Sequence, residues 1–109
     1  MQVSEIQWSE TEKKISRSAF DQAYQREIEA LIQEVIHRSG TVSNQQDVWQ
    51  LHDFLSARRH EIDGKYDYRY SGLIFVFARL IKEKWLSIEE LKGLETDKLA
   101  KISALIRMS

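Results

Sequence analysis

The chain has 109 residues, which is the size of one compact domain. Its 16 basic and 17 acidic residues give a formal net charge of −1, so it lacks the single-sign field that attracts nucleic acid or an anionic membrane. It contains no cysteine, which excludes a disulfide scaffold, a thiolate metal site and a cysteine nucleophile. We therefore expect a single domain over residues 1–109 that functions in a reducing cytoplasm.

The absence of proline and the presence of only four glycines favour helices, because folds built from strands need both residue types at their turns. Three of the glycines, Gly40, Gly64 and Gly93, follow segments where a helix end is expected. The longest apolar run, from Leu73 to Ala78, is too short to span a bilayer, and the amino terminus lacks the features of a signal peptide. The sequence predicts an all-α protein with no transmembrane segment.

The first helix is predicted from Ser9 to about Arg38, and it opens with a capping box, Ser9-Glu-Thr-Glu12. Apolar side chains follow at steps of three and four residues, which is typical of a seam that faces another helix. This seam consists of Phe20, Tyr24, Ile28, Leu31 and Val35. Thirty helical residues measure about 45 Å, whereas a compact domain of this length is about 35 Å across, so we expect the helix to project as a stalk.

The second helix is predicted from Asn44 to Ile62, between a capping box at Ser43-Asn-Gln-Gln46 and a stop at Asp63-Gly64. Its inner face consists of Val48, Leu51, Leu55, Arg58 and Ile62. The aliphatic part of Arg58 would lie along this face while its guanidinium reaches water. The two helices together form a stalk over residues 9–64.

One chain cannot cover the whole apolar stripe of such a stalk, so a second copy is the simplest cover. We predict a twofold homodimer. The predicted interface residues are Leu31, Val35, Val48, Leu51 and Leu55. A monomeric hairpin made of the two long helices remains an open alternative.

Residues 66–109 are predicted to form a small helical head. The segment from Ser71 to Trp85 is apolar nearly all round in its first turns, which favours a buried third helix because the sequence offers no second strand to pair with. Two short helices follow. The first opens with a capping box at Ser87, and the second is capped by Thr96.

The second helix also carries a polar and aromatic face, because a winding of about 100° per residue groups several side chains away from the apolar face. This face consists of Trp49, His52, Asp53, Ser56, Arg59 and His60. A tryptophan beside an acid, a base and a histidine is typical of a protein-binding surface. A solvated face, with an Asp53–His60 or His52–Arg59 pair and the tryptophan tucked against the head, fits the composition equally well.

The same residues do not favour catalysis. The side chains of His52 and Asp53 should diverge by about 100° on a helix, which argues against a shared metal or an acid–base pair. No zinc-protease, phosphate-loop or serine-hydrolase motif is present. The basic pair Arg58-Arg59 raises nucleic-acid binding as a possibility, but the net charge and the interspersed acidic residues argue against it. We predict a non-enzymatic protein with no cofactor and no metal.

The segment from Trp49 to Asp67, W-Q-L-H-D-F-L-S-A-R-R-H-E-I-D-G-K-Y-D, followed by Ile74-Phe-Val-Phe77, resembles the fluorescence recovery protein family of cyanobacteria. The match has no gaps, and it preserves a surface pattern that generic helix packing would not require. The resemblance implies an all-helical dimer that binds the red, light-activated form of the orange carotenoid protein, chiefly its carboxy-terminal domain. Such a protein speeds the return to the orange form and helps detach it from the phycobilisome.

The resemblance also implies which residues contact the partner. They are Trp49, His52, Asp53 and Arg59 on the second helix, with Phe75 and Lys101 in the head. The implied location is cytoplasmic, with a peripheral position on the cytoplasmic side of the thylakoid membrane left open. A generic dimeric helical adaptor, or a chaperone-like protein for another partner, remains the alternative function.

Overall fold

The computed structural model describes residues 7–108. The helices are α1 (Glu10–Ser39), α2 (Gln45–Lys65), α3 (Leu73–Lys82), a 3-10 helix (Ile88–Leu91) and α4 (Thr96–Arg107). The predicted all-α class is confirmed. No helix in the described range is both long and apolar enough to cross a membrane. The first six residues and Ser109, which the single-domain prediction includes, lie outside the described residues.

The two long helices begin with side-chain caps, one as predicted and one displaced. At α1 the capping box is confirmed, since Ser9 Oγ accepts from Glu12 N at 3.1 Å and Glu12 Oε1 accepts from Ser9 N at 3.0 Å. At α2 the predicted cap at Ser43 is wrong by one residue. Asn44 occupies the cap position, and its Oδ1 accepts from Asp47 N at 2.9 Å. Asn44 suits this position because a short side-chain oxygen can reach the free amide groups of the first turn.

Three other predicted boundaries differ from the structure. Helix α2 continues through Gly64 to Lys65 instead of ending at Ile62, and ion pairs hold the Lys65 side chain in place at the new end. Helix α3 is shorter than the predicted segment. The predicted cap at Thr96 is wrong, because Glu95 occupies the cap position and makes no side-chain cap hydrogen bond.

The stalk is an antiparallel hairpin of α1 and α2, and residues 7–108 extend over 59 × 30 × 25 Å. The guanidinium of Arg38 lies 3.8 Å from the ring centre of Phe54 near the tip. At the other end, Arg58 donates to Glu27. The projecting stalk is therefore confirmed.

The hydrophobic core lies in the head, and the first half of α1 completes it. Phe77, Leu80 and Ile102 are fully buried there. Phe20, predicted for the stalk seam, packs into this core instead, with its ring centre 4.9 Å from that of Tyr68. Its burial follows from its position on α1, because the chain between α2 and α3 returns across this part of the helix.

A glycine allows the loop before α4 to pass close to α1. Gly93 has a φ of +110°, a conformation that side chains with a Cβ rarely adopt. A Cβ at this position would also overlap Cδ1 of Ile15. The overlapping atom is the end of the Ile15 side chain, which can shift, so it is mainly the backbone conformation that requires glycine here.

The distal stalk, defined here as residues 28–61, contains no buried residue. Its aliphatic and phenylalanine side chains are all partly or largely exposed: Ile28, Leu31, Ile32, Val35, Ile36, Val42, Val48, Leu51, Phe54 and Leu55. The molecule thus joins a well-packed head to an apolar hairpin that its own chain leaves uncovered.

Candidate partner-binding surface

The outer face of α2 presents an aromatic and polar cluster to solvent. Trp49 is 57% exposed, so its side chain is not tucked against the head. The His52 ring stands edge-on to Trp49 with 6.3 Å between ring centres, and His52 Nδ1 lies 3.3 Å from Asp53 Oδ1. The expectation that the side chains of His52 and Asp53 diverge is therefore wrong, since they turn toward each other. These three residues form a continuous cluster on one helical turn.

Arg59 lies further along α2 and is separate from this cluster. Its Nε is 3.6 Å from Asp63 Oδ2, and its side chain is 85% exposed. The separation of six positions between Asp53 and Arg59 corresponds to about 9 Å along the helix axis. Neither the suggested His52–Arg59 pair nor the suggested Asp53–His60 pair forms. The face thus offers an acid and a base at a fixed spacing, with a tryptophan next to the acid.

The chemistry of this face suits binding. In the described part of the chain, no group of three histidine, cysteine, aspartate or glutamate side chains is placed to hold a metal ion. Charged groups on a rigid helix orient an approaching protein, and a large aromatic side chain supplies area that becomes buried. The arrangement provides both.

The two candidate residues in the head lie together. Phe75 on α3 is 64% exposed. It lines an open pocket of about 370 Å³, and Lys101 of α4 lines the same pocket. The surrounding residues Ile74 and Leu105 make this pocket almost wholly apolar, with Lys101 as the cationic group.

A buried ionic network joins the stalk to the head, and the sequence analysis missed it. The Glu27 side chain is only 1% exposed, and Lys65 Nζ lies 2.6 Å from its Oε1. Arg58 Nη2 donates to Glu27 Oε2 at 2.9 Å, and Lys65 also donates to Glu83 at 2.6 Å. The prediction that the Arg58 guanidinium reaches water is therefore wrong, because a buried carboxylate attracts it.

The sequence did contain a signal for this network. Glu27 stands three residues after Tyr24 and four before Leu31, which places a charge inside the apolar repeat of the first helix. A charge at such a position needs a partner of opposite sign. The partners, however, lie more than thirty residues away, and their identity depended on how the head folds back.

The network keeps Glu27 ionised. Burial disfavours the charged form, but hydrogen bonds from Lys65, Arg58 and Tyr66 outweigh it, so the pKa of Glu27 lies below its ordinary value. The pKa of Tyr66 is raised, first by burial and then by its hydrogen bond to Glu27. The junction between stalk and head is thus held by charge-assisted hydrogen bonds.

Comparison with known proteins identifies the family. The model of the family described as photoprotection regulator fluorescence recovery protein matches residues 8–106. The chain belongs to the fluorescence recovery protein family. It is 48% identical over 108 residues to the fluorescence recovery protein of a Synechocystis strain, a match that covers 99% of each chain.

Solved structures of the family agree with the fold. The fluorescence recovery protein of Fremyella diplosiphon superposes with a TM-score of 0.90 at 58% identity, over 94% of this chain and 100% of that one. The Synechocystis protein gives the same TM-score at 49% identity, again over 94% of this chain and 100% of that one. The family resemblance is confirmed, and the chain is a member of a family of photoprotection regulators.

The structure leaves all six candidate contact residues of this family member accessible. Trp49, His52, Asp53 and Arg59 are exposed on α2, and Phe75 and Lys101 are exposed in the head. Accessibility is a requirement for contact with a partner.

Proposed function

We propose that this chain binds the red, light-activated form of the orange carotenoid protein, chiefly its carboxy-terminal domain. Binding accelerates reversion to the orange form and helps release the carotenoid protein from the phycobilisome, which restores antenna fluorescence. The protein acts in the cytoplasm, where it meets the antenna at the thylakoid surface. The observation that carries this proposal is the exposed cluster of Trp49, His52 and Asp53 on a rigid helix of a family member.

The mechanism is binding alone. Trp49 and Phe75 supply apolar area, while Asp53 and Arg59 orient the partner through opposite charges. A partner that binds the red form, and binds the transition state toward the orange form more tightly, speeds relaxation without a chemical step of its own. The protein needs no cofactor for this and is not an enzyme.

Arg59→Leu tests the α2 face. The variant should keep the helicity of the wild type and its molecular mass in solution. Red-to-orange recovery in the dark should be slower, because loss of a central charged contact weakens binding by about 2 kcal/mol, or roughly thirtyfold. The control is Arg69→Leu, since Arg69 is also an exposed arginine paired with a nearby aspartate. Unchanged recovery with Arg59→Leu would remove Arg59 from the site. If the wild-type protein does not accelerate recovery, the alternative function, a helical adaptor for another partner, is favoured instead.

We also propose that the active form of the protein is a homodimer in which the distal stalk is buried. Support comes from residues 28–61, where a long series of apolar side chains stays uncovered in one chain. Apolar surface on this scale normally marks a site of association. The proposed interface consists of Leu31, Val35, Val48, Leu51 and Leu55.

Leu51→Asp tests the dimer. A charge in the interface should give a 12.9 kDa monomer in size-exclusion chromatography with light scattering. The matched control is Gln50→Asp, which places the same charge on the neighbouring exposed position and should leave the dimer intact. A dimer that persists in Leu51→Asp would move the interface elsewhere.

A further inference from the structure

Helix α2, which carries Trp49, Asp53 and Arg59, is anchored to the rest of its chain near one end. Its two buried residues, Ile62 and Lys65, both lie in the last turn. Along the rest of the helix, the side chains that face α1 stay partly exposed. Within one chain, the position and the rotation of α2 are therefore set mainly near this end.

The Glu27 network supplies the polar contacts at this end. Lys65 Nζ belongs to a side chain with no exposed surface, and it lies 2.6 Å from Glu27 Oε1 on α1 and 2.6 Å from Glu83 Oε1 at the end of α3. Arg58 Nη2 donates to Glu27 Oε2 at 2.9 Å, and Arg58 Nη1 donates to Glu61 at 2.6 Å. Two cations of α2 thus share one buried carboxylate of α1. Because hydrogen bonds are directional, this arrangement specifies the rotation of α2 about its axis as well as its distance from α1.

This rotation determines where the candidate contact residues point. Arg59 follows Arg58 directly, so its side chain leaves α2 about 100° around the axis from the side chain that the network holds. The network also extends to the head, since Arg79 Nη2 of α3 lies 3.6 Å from Glu61 Oε2. Arg79 stands four residues, about one helical turn, after Phe75. Charged groups therefore link the outer face of α2 to the exposed aromatic residue of the head.

We infer that Glu27 and Lys65 are positioning residues for partner binding, which hold α2 so that its outer face and Phe75 meet one partner molecule at the same time. The inference rests on the proposed function and adds to it two buried residues that do not touch the partner. Two contacts on one rigid body reinforce each other, because the first contact brings the second into place at a high effective concentration. A displaced α2 would lose this gain even with every contact residue present.

The test measures how much Phe75 contributes to binding with the network intact and with it broken. It uses the complete protein and the carotenoid protein held red by continuous illumination. In the wild type, Phe75→Ala should weaken binding by about tenfold or more. Lys65→Met should also weaken binding by about tenfold. In the Lys65→Met protein, Phe75→Ala should cost less than about threefold, because the two contacts no longer form together.

Lys98→Met is the matched control, because Lys98 has the same surroundings as Lys65 but lies within the head. Both lysines are 3% exposed, and Lys98 donates to Glu12 at 3.0 Å and to Glu95 at 2.9 Å. These carboxylates belong to α1 and to the start of α4, so the pairs do not involve α2. Lys98→Met should lower stability in a similar way but leave the dissociation constant within about twofold. The effect of Phe75→Ala should be unchanged in it, which separates positioning from a general loss of stability.

Distances between spin labels measure the displacement of α2 directly. The labels are attached through Ala57→Cys on α2 and Ala100→Cys on α4, two exposed positions in a chain that has no cysteine of its own. Labelled chains are mixed with an excess of unlabelled chains, so that a dimer holds at most one labelled chain. The distance distribution should broaden in Lys65→Met and stay narrow in Lys98→Met.

A second pair of variants changes charge with almost no change of size. Glu27→Gln should act like Lys65→Met, and Glu12→Gln is its control. If Phe75→Ala weakens binding by the same factor in the wild type, in Lys65→Met and in Glu27→Gln, the inference fails and the proposed function stands. The inference also fails if Phe75→Ala has no effect in the wild type, because the head then makes no contact to be positioned. If the wild type does not bind the carotenoid protein, the inference and the proposed function both fail.

Discussion

The head and the distal stalk are both built from helices with apolar faces, yet the two regions bury them differently. In the head, Phe77 and Leu80 of α3 are fully buried under α4 and the first half of α1. In the distal stalk, Leu51 and Leu55 of α2 stay partly exposed, because α1 is the one neighbour that the hairpin provides. The difference leads us to expect that the head is stable within one chain, whereas the stalk would be covered by the second chain of the proposed dimer.

The largest expected effect is in the head. Phe77→Ala should lower the free energy of unfolding by about 3–5 kcal/mol, because it leaves a cavity in the core. Urea unfolding followed by circular dichroism at two protein concentrations measures this loss, which should be the same at both. Leu55→Ala in the stalk should instead cost more at the higher concentration, where the proposed dimer stabilises the wild type but stabilises the variant less. If the loss in free energy of unfolding depends on protein concentration equally in the two variants, the head and the distal stalk do not differ in the proposed way.

The junction between the two regions should give the next largest effect. Glu27→Gln removes the carboxylate that Lys65 and Arg58 share, and breaking a buried ionic network should cost about 3 kcal/mol. The control is Glu34→Gln, which breaks a largely exposed pair with Arg38 and should cost less than about 0.5 kcal/mol. Similar losses in both variants would mean that the buried network stabilises no more than a surface pair.

The free energy of unfolding at acidic pH provides an independent test of Glu27. The pKa of the Glu27 carboxyl lies below its ordinary value of 4.5, because its hydrogen bonds outweigh the effect of burial. A carboxyl whose pKa is lower in the folded state contributes stability above its unfolded pKa and loses it as the pH falls through the folded value. The wild type should therefore lose stability below pH 4.5, and Glu27→Gln should lose less over that range.

Local sequence signals predicted the helices well and the long-range contacts poorly. The capping box at Ser9 and the apolar repeat of α1 are local patterns, and both predicted real structure. The partners of Glu27 and the head packing of Phe20 depend on residues more than thirty positions away, which periodicity cannot identify. For the candidate surface, periodicity separated the outer face of α2 from its inner face. The roles of its residues came from the family resemblance and stay predictions.

A smaller effect is expected at the loop that closes the head. Gly93→Ala should cost about 2 kcal/mol, mainly because alanine is strained at this φ, while the end of the Ile15 side chain only has to shift. Gly64→Ala is the control in the stalk. It lies inside α2 with open space around it, so the variant should gain about 0.5–1 kcal/mol from helix propensity. Thermal unfolding of both variants at one concentration measures the contrast, and a loss in both would show that the backbone conformation of Gly93 is not the cause.

The smallest expected effect is a gain at the end of α3, where Lys84 has a φ of 70°. The amide groups of Lys84 and Trp85 donate to Ile81 O at 3.0 Å and Leu80 O at 2.9 Å, an arrangement that usually places glycine at the position of Lys84. Lys84→Gly should therefore raise the free energy of unfolding by about 0.5–1 kcal/mol. Lys92→Gly is the matched control, since Lys92 has a φ of −57° and should instead lose a similar amount through greater freedom of the unfolded chain. Because Lys84 lies in the head, Lys84→Gly should raise the unfolding midpoint while leaving the molecular mass in solution unchanged. A change in mass would show that stability of the head and assembly of the stalk are coupled.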